Sequence, residues 1–152
     1  MEAVALAARR PERDTARAMS QENVETLRRM NAAFNNGDVA AVLRFYSPDA
    51  EVQDLANAPD QANVVKGIDA IREAWTLWTA AFDELRADIE EWTDAGSVVI
   101  GKVHWQGLGK TSGMSIDVRQ FDLYELREGQ VSRAILGFKT KDEALKAAGL
   151  RE

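Results

Sequence analysis

The sequence predicts an α+β domain in which helices come first and an antiparallel meander follows. Two observations carry this. Ile68, Ile71, Trp75, Trp78 and Phe82 recur at helical spacing and form one apolar face. From Leu85 onward the period changes to two, in runs bounded by the turn signals Asp94-Ala95-Gly96 and Arg127-Glu128-Gly129-Gln130. Helices grouped ahead of strands, rather than alternating with them, give the α+β class and not a parallel βαβ sheet.

Residues 1–19 are rich in Ala and Arg, carry Pro11 and read as a flexible, disordered or loosely helical tail; residues 20–152 read as one domain. Ser20 suits an N-cap, with Glu22 in the first turn, where the helix dipole favours an acid. Val24, Leu27, Met30 and Phe34 then make the apolar stripe of a first helix. Asn35-Asn36-Gly37 ends it, because glycine tolerates the left-handed conformation found just past a helix. Asp38 caps a second helix that buries Val39, Val42, Leu43 and Tyr46 before Pro48 stops it. Ala50–Asp54 alternates as a half-buried strand, with Ala50, Val52 and Asp54 on one face. The stretch LANAPDQANVV is a polar connection with no regular period, and Gly67 opens the third helix.

Four strands are predicted next: 85–94, 97–107, 114–127 and 131–138. In the second, Val99, Gly101, Val103 and Trp105 share one face; Ile100, Lys102, His104 and Gln106 share the other. In the third, Val118, Gln120, Asp122, Tyr124 and Leu126 fall together. Thr140 with Glu143 three residues on is a capping box for a short last helix that ends before Gly149. Three striped helices must cover one face of a curved sheet, which makes a cone with a pocket at its open end.

Composition narrows the chemistry. With 152 residues, 45% hydrophobic and 29% charged, the chain is expected to be a single soluble, cytoplasmic domain. It has no cysteine and one histidine, so thiolate nucleophiles, disulfides and His-based zinc sites are not expected. A net charge of -6 argues against a nucleic-acid partner, and no apolar run is long enough to span a membrane.

The segments FNNGD (34–38), SPDAEVQD (47–54), GIDAIREAW (67–75), LREGQVSR (126–133) and DEALKAAGL (142–150), in this order and spacing, resemble the SnoaL-like branch of the NTF2-like superfamily. The resemblance covers about residues 20–149 and implies the superfamily's cone: three N-terminal helices on a curved, mostly antiparallel sheet, and a short C-terminal helix. That superfamily holds isomerases, polyketide cyclases, epoxide hydrolases, dehydratases and noncatalytic binding modules, among which a fold does not choose.

By this resemblance Asp54 stands where ketosteroid isomerases hold their general base. A carboxylate set in the mouth of an apolar cone loses hydration, which tunes it toward proton transfer. The alternative is a strand-end aspartate capping loop backbone. Asp122 resembles the isomerases' oxyanion-hole acid, if it points into the cavity rather than pairing with Arg119 or Arg133 at a strand edge. The pattern departs at Met30, where those enzymes have a tyrosine; loss of such a donor costs about a hundredfold in rate, so steroid isomerase activity itself is not expected. An epoxide-hydrolase arrangement fits less well, since Asp117 and Arg119 lie on the face opposite Asp122.

The expected function is therefore binding of a small hydrophobic, polyketide-like molecule, with cofactor-free and metal-free acid/base chemistry by Asp54 or Asp122. Met30, Trp75, Trp78, Val103 and Trp105, together with Gln120, Tyr124 and Phe138, are expected to line the cavity. A noncatalytic ligand-binding or dimerisation module is the alternative. His104 falls on the convex side, where a mixed surface containing Ile100, Phe121, Leu123 and Ile135 suggests a homodimer packed sheet to sheet.

Overall fold

The computed structural model describes residues 11–55, 64–110 and 115–149. Residues 1–10 of the expected tail, most of the polar connection and Met114 lie outside them. The elements are α1 (Pro11–Asn35), α2 (Val39–Leu43), β1 (Tyr46–Asp54), β2 (Val64–Lys66), α3 (Ile68–Ala80), β3 (Phe82–Ala95), β4 (Val98–Gly109), β5 (Ser115–Arg127), β6 (Gln130–Phe138) and α4 (Lys141–Ala147). The six strands form one sheet in the order β2-β1-β6-β5-β4-β3. All neighbours are antiparallel except β1 and β6, which are parallel. Register shifts interrupt the β1–β6, β3–β4 and β5–β6 ladders. Such bulges bend a sheet, and the curvature gives the helices a concave face to fill.

On that face α1 buries Leu27 and Met30, α2 buries Val42 and Leu43, and α3 buries Ile71 and Trp75. Burial of each such side chain stabilises the fold by about 1.5–3 kcal/mol. Polar bonds fix how α1 lies. Asn31 and Asn35 both donate to the Ala87 carbonyl, at 2.9 and 2.7 Å, and Ala87 N–H donates to Asn35 Oδ1 at 2.9 Å. On the opposite face α4 packs over β4, β5 and β6. There it closes a second apolar cluster of Ile100, Leu123, Ile135, Phe138 and Ala144.

The local signals mostly act as expected. Gly37 has φ 74°, and Asp38 Oδ1 accepts from Ala41 N–H at 3.0 Å. Glu128 and Gly129, at φ 50° and 77°, make the two-residue hairpin between β5 and β6. Thr140 Oγ1 accepts from Glu143 N–H at 3.2 Å to cap α4.

Five expectations are corrected. The first helix starts at Pro11, not Ser20, because residues 12–19 are mostly good helix formers and proline is tolerated in a first turn. The second helix ends at Leu43, and Tyr46 belongs to β1 together with Pro48. Pro48 is accommodated there because it lies where β1–β6 pairing is interrupted, between Tyr46 and Glu51. Val64–Lys66 pairs with Glu51–Gln53 as an edge strand too short to show a period. Phe82 begins β3 rather than ending α3.

The fifth correction concerns Phe138, which lies under α4 and not in the cone. Ala134 and Leu136 face the cone interior, so simple alternation would bring Phe138 to the same side. The ladder pairs Asp122 with Leu136 but Phe121 with Phe138, leaving Gly137 as an extra residue. That bulge, with Gly137 at φ 101°, inverts the alternation and turns Phe138 outward.

Candidate functional site

Four aromatic rings meet inside the cone. Phe34 lies 5.6 Å from Trp75 and 5.3 Å from Trp105, and Trp78 lies 5.5 Å from Trp75 and 5.2 Å from Trp105. Most are edge-to-face contacts, the favoured geometry for ring pairs. They fill the interior of the cone behind its open end. Below them, among Met30, Tyr46, Val103 and Tyr124, a void of only about 20 Å³ is left. That holds roughly one water, so Met30, Val103 and Tyr124 serve as packed core there.

The open space lies at the mouth. An outer pocket of about 360 Å³ is lined by Val52, Val65, Ile71, Trp75, Leu77 and Trp78, with Asp54 and Leu136. An inner pocket of about 180 Å³ is lined by Leu85, Trp105, Ile116, Val118 and Gln120, with the same Asp54, Trp78 and Leu136. Asp54 is therefore common to both walls. It is half-buried, at the end of β1 on the face that carries Ala50 and Val52, as its spacing predicted.

Asp122 is placed differently. It faces inward but is 0% exposed and lines neither pocket. The ladders pair Asp54 with Leu136 and Leu136 with Asp122. The two aspartates are thus two strands apart, about 10 Å at ordinary strand spacing, with Leu136 between them. Asp122 Oδ1 accepts from Gln120 Nε2 at 2.9 Å and from the Gly137 backbone N–H at 2.9 Å; Oδ2 accepts from Trp105 Nε1 at 3.3 Å. The Gly137 N–H is the one released by the β6 bulge.

Burial raises the Asp122 carboxyl from its ordinary value to about 6. The bonds from Gln120, Gly137 and Trp105 oppose that rise, and the charge of Asp54 adds slightly to it. All three bonds are donated to the carboxylate, so near neutral pH Asp122 is an acceptor, not the protonated hydrogen-bond donor of the isomerase pattern. Burial, followed by the Asp122 charge, raises the Tyr46 and Tyr124 phenols, which stay protonated.

The remaining expected site residues sort cleanly. Trp75, Trp78, Trp105 and Gln120 reach the mouth pockets, while Phe138 is on the other side of the sheet. His104 lies on the convex face, its Nε2 2.6 Å from Asp117 Oδ1. Ile100, Leu123 and Ile135, read from sequence as a dimer surface, are buried beneath α4 of the same chain. Leu136, Gly137 and Tyr46 were missed as site residues. The signal available for Gly137 was a lone glycine inside an apolar strand, which often marks a bulge. Among the described residues no group of three or more His, Asp or Glu is placed to hold a metal ion.

A cone of three helices on a bulged six-stranded sheet, with an acid at its mouth, defines the NTF2-like, ketosteroid isomerase-like class. The sequence matches the SnoaL-like domain over residues 27–134, more than half of the chain, and the protein belongs to that family. Solved structures agree on the fold. A Catenulispora acidiphila protein with a ketosteroid isomerase-like fold, in complex with trimethylamine, is 17% identical and superposes with a TM-score of 0.67 over 83% of this chain and 93% of its own. An NTF2-like protein from Burkholderia pseudomallei is 16% identical, with a TM-score of 0.68 over 82% of this chain and 95% of its own. SalBIII, an epoxide hydrolase/cyclase-like enzyme in pyran ring formation in polyether salinomycin, is 18% identical, with a TM-score of 0.67 over 80% and 93%. At these identities the likeness concerns the fold alone. No curated protein matches the sequence.

Proposed function

We propose that the protein binds a small, flat hydrophobic molecule in the mouth pocket and that Asp54 moves a proton on it, in a cofactor-independent isomerisation or ring closure. The observation that carries this is the outer pocket itself: about 360 Å³, walled by Val52, Ile71, Trp75, Trp78 and Leu136, with the Asp54 carboxyl in the wall. A mostly apolar hollow of that size, with Asp54 the one acid among its described lining residues, is what small-molecule sites look like. Leu77 and Val118, 67% and 43% exposed, stand at the two pockets and extend the apolar surface outward. The ring-forming activity named for SalBIII is chemistry of the same kind. Asp122 acts at one remove, fixing Gln120 and Trp105 in the wall.

The test is Asp54→Asn against a panel of planar polyketide-like substrates. Binding, read by quenching of Trp75 and Trp78 fluorescence, is expected to persist, while turnover falls by about a hundredfold or more. Equal turnover by the variant would remove Asp54 from the mechanism. A noncatalytic binding module is the second reading, favoured by the packed interior and by Met30 in place of a phenol. Tight binding with no turnover by the native protein across the panel would select it.

A further inference from the structure

Gln120 is a polar side chain only 8% exposed, yet it stands in the wall of the inner pocket with Asp54. Its amide is not free to choose its orientation. Asp122 offers only acceptor oxygens, and Gln120 Nε2 meets Oδ1 at 2.9 Å. Turning the amide over would set its oxygen against a carboxylate oxygen. Asp122 cannot turn away either, since Gly137 N–H and Trp105 Nε1 pin it from two other directions. The same bond engages the Trp105 indole N–H, so that ring offers the pocket its apolar surface rather than a donor. Trp78 meets its neighbours through its ring, in contact with Trp75, Phe82 and Trp105. The other described residues of the wall are Leu85, Ile116, Val118 and Leu136.

We propose that Gln120 is the specificity-determining residue of the inner pocket, presenting its amide oxygen beside Asp54 so that the site selects ligands carrying a hydroxyl or N–H donor over ligands carrying only acceptors. This rests on the mouth pocket being the ligand site, and it names the substrate class: flat, apolar and hydroxylated. Burying an amide oxygen against a ligand that cannot donate leaves it unpaired, which weakens binding by roughly tenfold or more. A donor placed between Gln120 and Asp54 also puts its proton within reach of the carboxylate proposed to take it.

Isothermal titration of the full chain with 2-naphthol and 2-methoxynaphthalene, alike in shape and differing in the donor, tests the proposal. The native protein is expected to bind 2-naphthol at least tenfold more tightly. In Gln120→Met, which keeps the side-chain volume and leaves no amide oxygen to be stranded, that ratio is expected to fall to near one, chiefly because 2-methoxynaphthalene binds more tightly than it does to the native protein. Gln120→Leu gives a second reading, and the ratio in the native protein needs no variant. Equal affinities in the native protein overturn the proposal and leave the mouth-pocket reading standing. A preference that survives both Gln120 variants but is lost in Asp54→Asn assigns donor recognition to Asp54 and also overturns it. If neither ligand binds at millimolar concentration, the pocket reading falls, and the proposal with it.

Discussion

Asp54 and Asp122 lie on one face of the same sheet, two strands apart, in opposite surroundings. Asp122 has no exposed surface and is held by three N–H donors. Asp54 is half-buried where two apolar pockets meet. The sealed carboxylate organises side chains around it; the open one can meet a ligand. Burial and hydrogen bonding, not residue type, set the two carboxyls apart.

The contrast can be broken most forcefully at the sealed end. Asp122→Ala leaves the Gly137 N–H, the Gln120 amide and the Trp105 indole N–H without their acceptor, and is expected to destabilise the protein by roughly 3 kcal/mol in urea unfolding. A variant as stable as the native protein would show that these bonds contribute nothing net.

Gly137→Ala is next. At φ 101° an added Cβ strains the backbone, and a loss of about 1–3 kcal/mol is expected, together with a change in near-ultraviolet circular dichroism from the Trp105 side of the site.

The third test is pH. The folded Asp122 value, about 6, lies above the unfolded value of 3.8, so the native state holds that proton more tightly. Its contribution to stability is complete below about pH 4 and is lost as pH rises to about 6. The stability of the native protein minus that of Asp122→Asn should therefore fall across pH 4–6 and then level off. A flat difference would place Asp122 in contact with solvent.

The smallest effect is expected at the open end. Asp54→Asn should cost less unfolding stability than Asp122→Ala, because Asp54 is half-buried where Asp122 is sealed, even where it abolishes turnover. A loss comparable to that of Asp122→Ala would mean that Asp54 is structural too.

Much of this was legible in the sequence because period two survives in a regular strand. Gln120, Asp122, Tyr124 and Leu126 were placed inward by alternation, and all four are buried. The same counting failed at Phe138, because one extra residue at Gly137 shifts the phase and no turn signal announces it. Whether the cone was hollow or full was out of reach for a different reason. Phe34, Trp75, Trp78 and Trp105 could be placed on the right faces, but the volume left over depends on how the rings tilt against each other. The three-residue strand Val64–Lys66 gave too little pattern to read, and the first helix outran Ser20 because propensity extended it past a good cap.

The irregularity in β6 also bears on how relatives of this protein are compared. A superposition or alignment that slides this strand by one position exchanges the inner wall of the cone with the underside of the terminal helix. At 16–18% identity such a slip is easy to make. Phe138 is the marker that exposes it: wherever a relative's counterpart is drawn into the ligand space, the frame should be recounted from the glycine before any residue is assigned a role.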